Sequence, residues 1–167
     1  MSNKTLVAYF SATGTTARAA RRLAEAVGAD LYEIRPAAPY TRADLNWADS
    51  KSRSTLEAHD AACRPAIAGE PVDLSGYGTV FVGFPIWWYT APRIIHSFLE
   101  SHDFAGKRVV PFATSGGSGL GRTAEALRAS CPRAEVLPGR LLNGGFSDGE
   151  LKKMGGGRNR LSRLERK

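Results

Sequence analysis

The sequence predicts one α/β domain, a parallel β-sheet with helices on both faces. Three observations predict it. Short unbroken apolar runs recur along the chain, amphipathic segments separate them, and the loops following the runs are rich in glycine, hydroxyl or aromatic residues. A strand covered on both faces reads as a continuous apolar run, whereas a half-exposed strand alternates. Strands alternating with helices imply right-handed βαβ units.

The first run is Leu6-Val7-Ala8-Tyr9-Phe10. After a loop at Ser11 to Thr16, Ala20, Leu23, Ala24 and Val27 recur at helical spacing, with Arg18, Arg21, Arg22 and Glu25 on the opposite face and Gly28 as a stop. Leu31-Tyr32-Glu33-Ile34 reads as a second strand. Residues 37–76 have no clean period; a helix is expected around Leu45 to Cys63, ended by Arg64-Pro65, with Tyr40, Leu45 and Trp47 as anchors. Thr79 to Phe84 is the third strand, and Pro92 opens a helix with Ile95, Phe98, Leu99 and His102 on one face. Arg108 to Ala113 is the fourth, its Pro111 predicting a local irregularity. A helix then sets Leu120, Ala124, Leu127 and Cys131 on one stripe until Pro132, and Glu135-Val136-Leu137 with Leu141-Leu142 make a last short strand.

Composition suits one soluble domain: 167 residues, 43% hydrophobic and 23% charged. The longest apolar run, Thr79 to Trp88, is about half of what a membrane-spanning helix needs. The opening Met1-Ser2-Asn3-Lys4-Thr5 has no signal-peptide pattern, and Cys63 and Cys131 have neither CxxC nor metal-ligand spacing, so a cytoplasmic setting is expected. Of the net charge of +7, residues 151–167 carry +6, leaving +1 for residues 1–150. The basicity belongs to the tail and gives no reason to expect a nucleic-acid partner.

In parallel sheets, ligands sit beyond the carboxyl ends of the strands, where the strand order reverses. The loops after strands one, three and four are therefore the ones to examine. The first, Ser11-Ala12-Thr13-Gly14-Thr15-Thr16, offers four hydroxyls and one glycine ahead of a helix N-terminus, a neutral donor set for a phosphate. A bare helix cap explains one of those hydroxyls. No lysine or arginine lies within it, which favours a resident monophosphate over a metal-bound triphosphate.

The second loop, Pro85-Ile86-Trp87-Trp88-Tyr89-Thr90-Ala91-Pro92, sets three aromatics side by side. Neighbouring side chains diverge, so one should pack inward while another stays exposed for a flat ligand. The third, Thr114-Ser115-Gly116-Gly117-Ser118-Gly119, lets backbone approach such a ligand closely. Gly116 to Thr123 nearly spells a Walker A loop, but Arg122 replaces its lysine and the loop follows the fourth strand, not the first. His59, His96 and His102 are scattered and read as surface or helix-end residues.

Ser-x-Thr-Gly-x-Thr after the first strand resembles the phosphate loop of flavodoxins. The chain also resembles a bacterial flavodoxin subgroup at Arg64-Pro65, Asp73-Leu74-Ser75-Gly76-Tyr77 and Gly83-Phe84-Pro85-Ile86-Trp87-Trp88, the likeness spanning about residues 5–143. It implies a flavodoxin-like three-layer sandwich with a five-stranded parallel sheet in the order 2-1-3-4-5. Residues 1–150 would be the FMN-binding domain and 151–167 a basic tail or irregular last helix. All six residues of the first loop, Pro85 to Tyr89 and Thr114 to Gly119 would hold the FMN. The implied role is electron transfer to a redox partner protein or small-molecule acceptor, by a monomer or homodimer. The alternative is an NAD(P)H-dependent FMN or quinone reductase of the same fold. A flavin carries its own redox chemistry, so no catalytic side chain is expected.

Overall fold

Six strands form one parallel sheet in the computed structural model, which describes residues 4–88, 90–114, 123–142, 149 and 151. In chain order the elements are β1 (Lys4–Tyr9), α1 (Thr15–Val27), β2 (Asp30–Glu33), a 3-10 turn at Ala43–Leu45, α2 (Arg53–Ala58), β3 (Tyr77–Pro85), α3 (Arg93–Ser101), β4 (Arg108–Thr114), α4 (Thr123–Arg128), β5 (Glu135–Val136) and β6 (Arg140–Leu141). The order across the sheet is β2-β1-β3-β4-β5, with β6 also on β4. This is the expected 2-1-3-4-5 order, its fifth place shared by two short strands.

The continuous apolar runs follow from burial on both faces. Leu6, Ala8, Phe10, Val80, Val82 and Phe84 face α3, where Ile94, Ile95, Phe98 and Leu99 meet them. Val7, Tyr9, Phe81 and Phe112 face the other way, onto Ala20, Leu23 and Ala24 of α1 and onto Leu151. The period of two along each strand thus serves two cores. Each large side chain buried this way contributes about 1.5–3 kcal/mol.

Pro111 explains the split of the fifth strand. The carbonyls of Lys107, Val109 and Ala113 accept from the amides of Glu135, Leu137 and Leu142, so alternate residues of β4 face β5 and β6. Pro111 lies in that series and has no N–H to give. The partner breaks opposite it, at Pro138-Gly139. Gly139 has φ +81°, and a Cβ there would press on the Pro111 carbonyl.

Three expectations need correction. The helix around Leu45 to Cys63 is only α2, Arg53–Ala58. Asn46, Asp49 and Asp60 each accept from the backbone N–H two residues on, at 2.9–3.1 Å, and such side-chain turns compete with helix on both sides of it. Ser52 caps its start by accepting from the Thr55 amide. Trp47 is no anchor, since it is 75% exposed. Of the last helical stripe, Leu127 is buried and Ala124 half-buried within α4, whereas Cys131 is buried in the turn beyond it and Leu120 lies outside the described residues. Burial pushes the Cys131 thiol up to about 11, as for a small core hydrophobe. Among the described residues no helix is long and apolar enough to cross a membrane.

Candidate functional site

β1, β3 and β4 end side by side, so the three loops start from one edge of the sheet. The Phe10 amide donates to the Gly83 carbonyl at 2.9 Å, fixing the exit of β1 against β3. The Ile86 amide donates to the Thr114 carbonyl at 2.8 Å, fixing the exit of β3 against β4.

In the first loop the Gly14 amide donates to Ser11 Oγ at 3.0 Å. Gly14 itself has φ +96°, a conformation glycine adopts without a Cβ penalty. It is the N-cap of α1, and having no side chain it supplies no oxygen to the helix's first amides. Those amides and the helix dipole therefore point at an outside acceptor, the chemistry that suits an anion. Thr13 and Thr15 are exposed, Ser11 is half-buried, and Thr16 is buried. A cation that reading along the chain did not reveal borders the loop at Gly14. Arg18 lies one turn into α1, and its Nη1 would stand 3.8 Å from a Cβ on Gly14. The i, i+4 spacing of Gly14 and Arg18 is the signal that finds it.

The second loop divides its tryptophans as the divergence of neighbours requires. Trp87 is half-buried, with ring centroids 5.4 Å from Phe10 and 5.2 Å from Tyr40, both nearly edge-on. It packs against the core that faces α3 and against an aromatic from the long connection. The Trp87 and Thr90 amides each donate to the other's carbonyl, at 2.9 and 3.2 Å, closing a tight turn. Trp88 sits at its tip with φ +52°, the only non-glycine residue at positive φ among the described residues, and is 38% exposed. Such strain is retained where the surroundings over-determine it, commonly at ligand sites. Tyr89 lies outside the described residues, as do Ser115, Gly116, Gly117, Ser118 and Gly119 of the third loop. Thr114 is described and buried.

Part of the long connection is tied to this site. The Arg53 guanidinium lies 3.8 Å from the centre of the Tyr40 ring, and its Nε donates to Glu57 Oε2 at 2.8 Å. The Tyr40 hydroxyl donates to Glu57 Oε1; burial first, then this bond, raises its pKa above the usual tyrosine value. Arg93, the first residue of α3, donates to the carbonyls of Glu57 and Ala58 and so holds the C-terminal end of α2. His59 then stands with its ring centroid 5.0 Å from that of Trp88. It is a neighbour of the aromatic loop, which its lone place in the sequence hid.

His96 also departs from expectation: it is buried. Its Nδ1 lies 2.6 Å from Ser130 Oγ, and Ser130 donates to Glu100 Oε2 at 2.8 Å, so Nδ1 must carry the hydrogen. Arg64 closes the chain with two 2.9 Å bonds to Glu100. Among the described residues no group of three or more His, Cys, Asp or Glu is placed to hold a metal ion.

Comparison with known proteins bears on the fold and family. A candidate flavoprotein from Bacteroides eggerthii is 52% identical, with a TM-score of 0.86 over 90% of this chain and 94% of its own. Another from Bacteroides uniformis is also 52% identical, with a TM-score of 0.86 over 92% and 98% of the two chains. A flavoprotein from Lactobacillus acidophilus, solved in complex with FMN, shares the fold at 20% identity, with a TM-score of 0.67 over 83% and 91%. No curated protein matches the chain. The family model for flavodoxin matches residues 4–155, and the chain belongs to the flavodoxin family.

Proposed function

We propose that this protein binds one FMN across the three loops and carries electrons through it to a redox partner protein or a small-molecule acceptor. The observation that carries the reading is the glycine-capped start of α1, hydroxyl-lined and facing the same sheet edge as an exposed, backbone-strained Trp88. The first suits a phosphate and the second a flat ring. The residues present fit the group: Ser11 to Thr16 would hold the phosphate, and Pro85 to Trp88 would border the ring. The FMN-bound Lactobacillus relative supports the same choice of cofactor.

Bound FMN would supply the electron-carrying chemistry, and the protein would bind, orient and shield it. None of the described residues among those expected to hold it is acidic, basic or a thiol. That fits a site in which the flavin supplies the redox chemistry, whether a protein partner or a nicotinamide delivers the electrons. The purified protein should show a flavin absorption band, and denaturation should release FMN. Mixing the holoprotein with NADPH in a stopped-flow instrument should leave that band unbleached on the millisecond scale. Rapid bleaching would make it a reductase.

Arg18 adds a charge to a loop otherwise built of neutral donors. Arg18→Gln is expected to weaken FMN binding about threefold to fivefold at low salt, and less at high salt, as befits an exposed cation. Riboflavin, which lacks the phosphate, should bind both forms equally. Flavin-fluorescence titrations at two ionic strengths would check this.

A further inference from the structure

We propose that Thr114 is a positioning residue for the phosphate end of the cofactor and acts through Thr16. The inference rests on the FMN reading above. In the sequence Thr114 belongs to the glycine loop expected to face the ring. Its side chain instead turns toward the phosphate loop, with Thr114 Oγ1 lying 2.8 Å from Thr16 Oγ1. Both residues are buried, at 4% and 1% exposure, and come from elements 98 residues apart.

Hydrogen counting gives this contact a direction. Each hydroxyl has one hydrogen and two lone pairs, so one threonine donates and the other keeps its hydrogen for elsewhere. Without a ligand, either can be the donor. Thr16 lies in the first turn of α1, where an anion held by the helix amides would sit. When a phosphate oxygen takes the Thr16 hydrogen, Thr16 no longer has one for Thr114. The contact then survives only with Thr114 donating. Thr114 to Thr16 to phosphate becomes a chain of donors pointing one way, and such chains strengthen each member. Thr114 thus serves the phosphate without touching it.

Its backbone does separate work. The Thr114 carbonyl accepts from Ile86, and the residue pairs in register with Pro85. Removing only the hydroxyl leaves those bonds in place, so the side chain's role can be isolated. Thr114→Val keeps the shape and deletes the donor.

The test titrates apoprotein with FMN and with riboflavin, following flavin fluorescence. Thr114→Val is expected to lose FMN affinity about tenfold while riboflavin affinity changes less than about twofold. Thr114→Ser should restore FMN binding to within about twofold of wild type. In a Thr16→Val background, Thr114→Val should cost nothing further. Equal losses for the two flavins, or no loss for either, would overturn the assignment. Should Thr114→Val fail to fold by circular dichroism, Thr114→Cys, a weaker donor of similar size, carries the same comparison. A wild-type apoprotein that binds neither flavin would sink the FMN reading itself, an outcome distinct from an unchanged FMN-to-riboflavin ratio.

Discussion

Replacing Gly83 by alanine is expected to destabilise the protein by about 3 kcal/mol, lowering its melting temperature by roughly 6–12 °C. Gly83 lies near the end of β3 and pairs directly with Phe112 of β4, whose ring folds across it. A Cβ on Gly83 would stand 2.7 Å from Phe112 Cε1 and closer still to Cε2 and Cζ. The ring is fully buried, in the core that faces α1, so it has no open space to swing into. The two central strands would have to part, and overpacking that moves backbone lies at the costly end of its range. The same movement would disturb the Gly83 carbonyl that accepts from Phe10 and fixes the exit of β1. Phe112→Leu alone should cost about 2 kcal/mol for lost ring burial. In the double variant the smaller side chain makes room for the new methyl, so the two costs should fall short of their sum by about 1–2 kcal/mol. Urea denaturation of the four forms would measure this, and strict additivity would show that the ring is not what the methyl meets.

That pair shows where reading the sequence succeeds and where it stops. The run Thr79 to Phe84 announces a strand buried on both faces, and so do Leu6 to Phe10 and Arg108 to Ala113, because unbroken apolarity has few other uses at that length. Once the strands are placed, the site edge follows from topology, since the loops after β1, β3 and β4 have one side to occupy. A ring lying across a neighbouring strand is a different matter. It depends on register, which no single strand carries. Arg18 and His59 were missed for the same reason in smaller form: each gains its meaning from a partner that folding brings near. The helix expected over residues 45–63 failed because helical pattern was weighed without Asn46, Asp49 and Asp60, whose short side chains bind their own backbone. His96 reads as a surface or helix-end residue because the three histidines are scattered along the chain and no partner spacing marks it. In the fold, the turn after α4 and Arg64 close over it.

His96 carries the second large expected effect, a loss of stability on mild acidification. Its ring is 5% exposed, and its Nε2 has no hydrogen-bond partner among the described residues. Burial, followed by the positive charges of Arg64 and Arg93, lowers its pKa from 6.5 to about 4, against the smaller opposing pull of Glu100. The folded protein therefore keeps the ring neutral at pH values where the unfolded chain would protonate it. Protons then favour unfolding: the full contribution is present above 6.5 and is lost as pH falls from there toward 4. Linkage over that interval amounts to about 3 kcal/mol. Glu100, which Arg64 and Ser130 hold below the usual carboxylate range, acts in the same direction but only at the acid end of the window. His96→Asn separates the two. Its amide can replace the Nδ1–H that Ser130 accepts, yet it does not titrate. Urea midpoints from pH 7 to 4.5 should fall steeply for wild type and stay nearly level for the variant. Equal slopes would assign the acid sensitivity to another group, and a His96 ring signal titrating near 6.5 by NMR would contradict its burial. Because α3 begins at Arg93, which holds the end of α2 beside the aromatic loop, acid that loosens α3 loosens that loop with it. FMN release on acidification should therefore share the midpoint of unfolding and shift with it in His96→Asn.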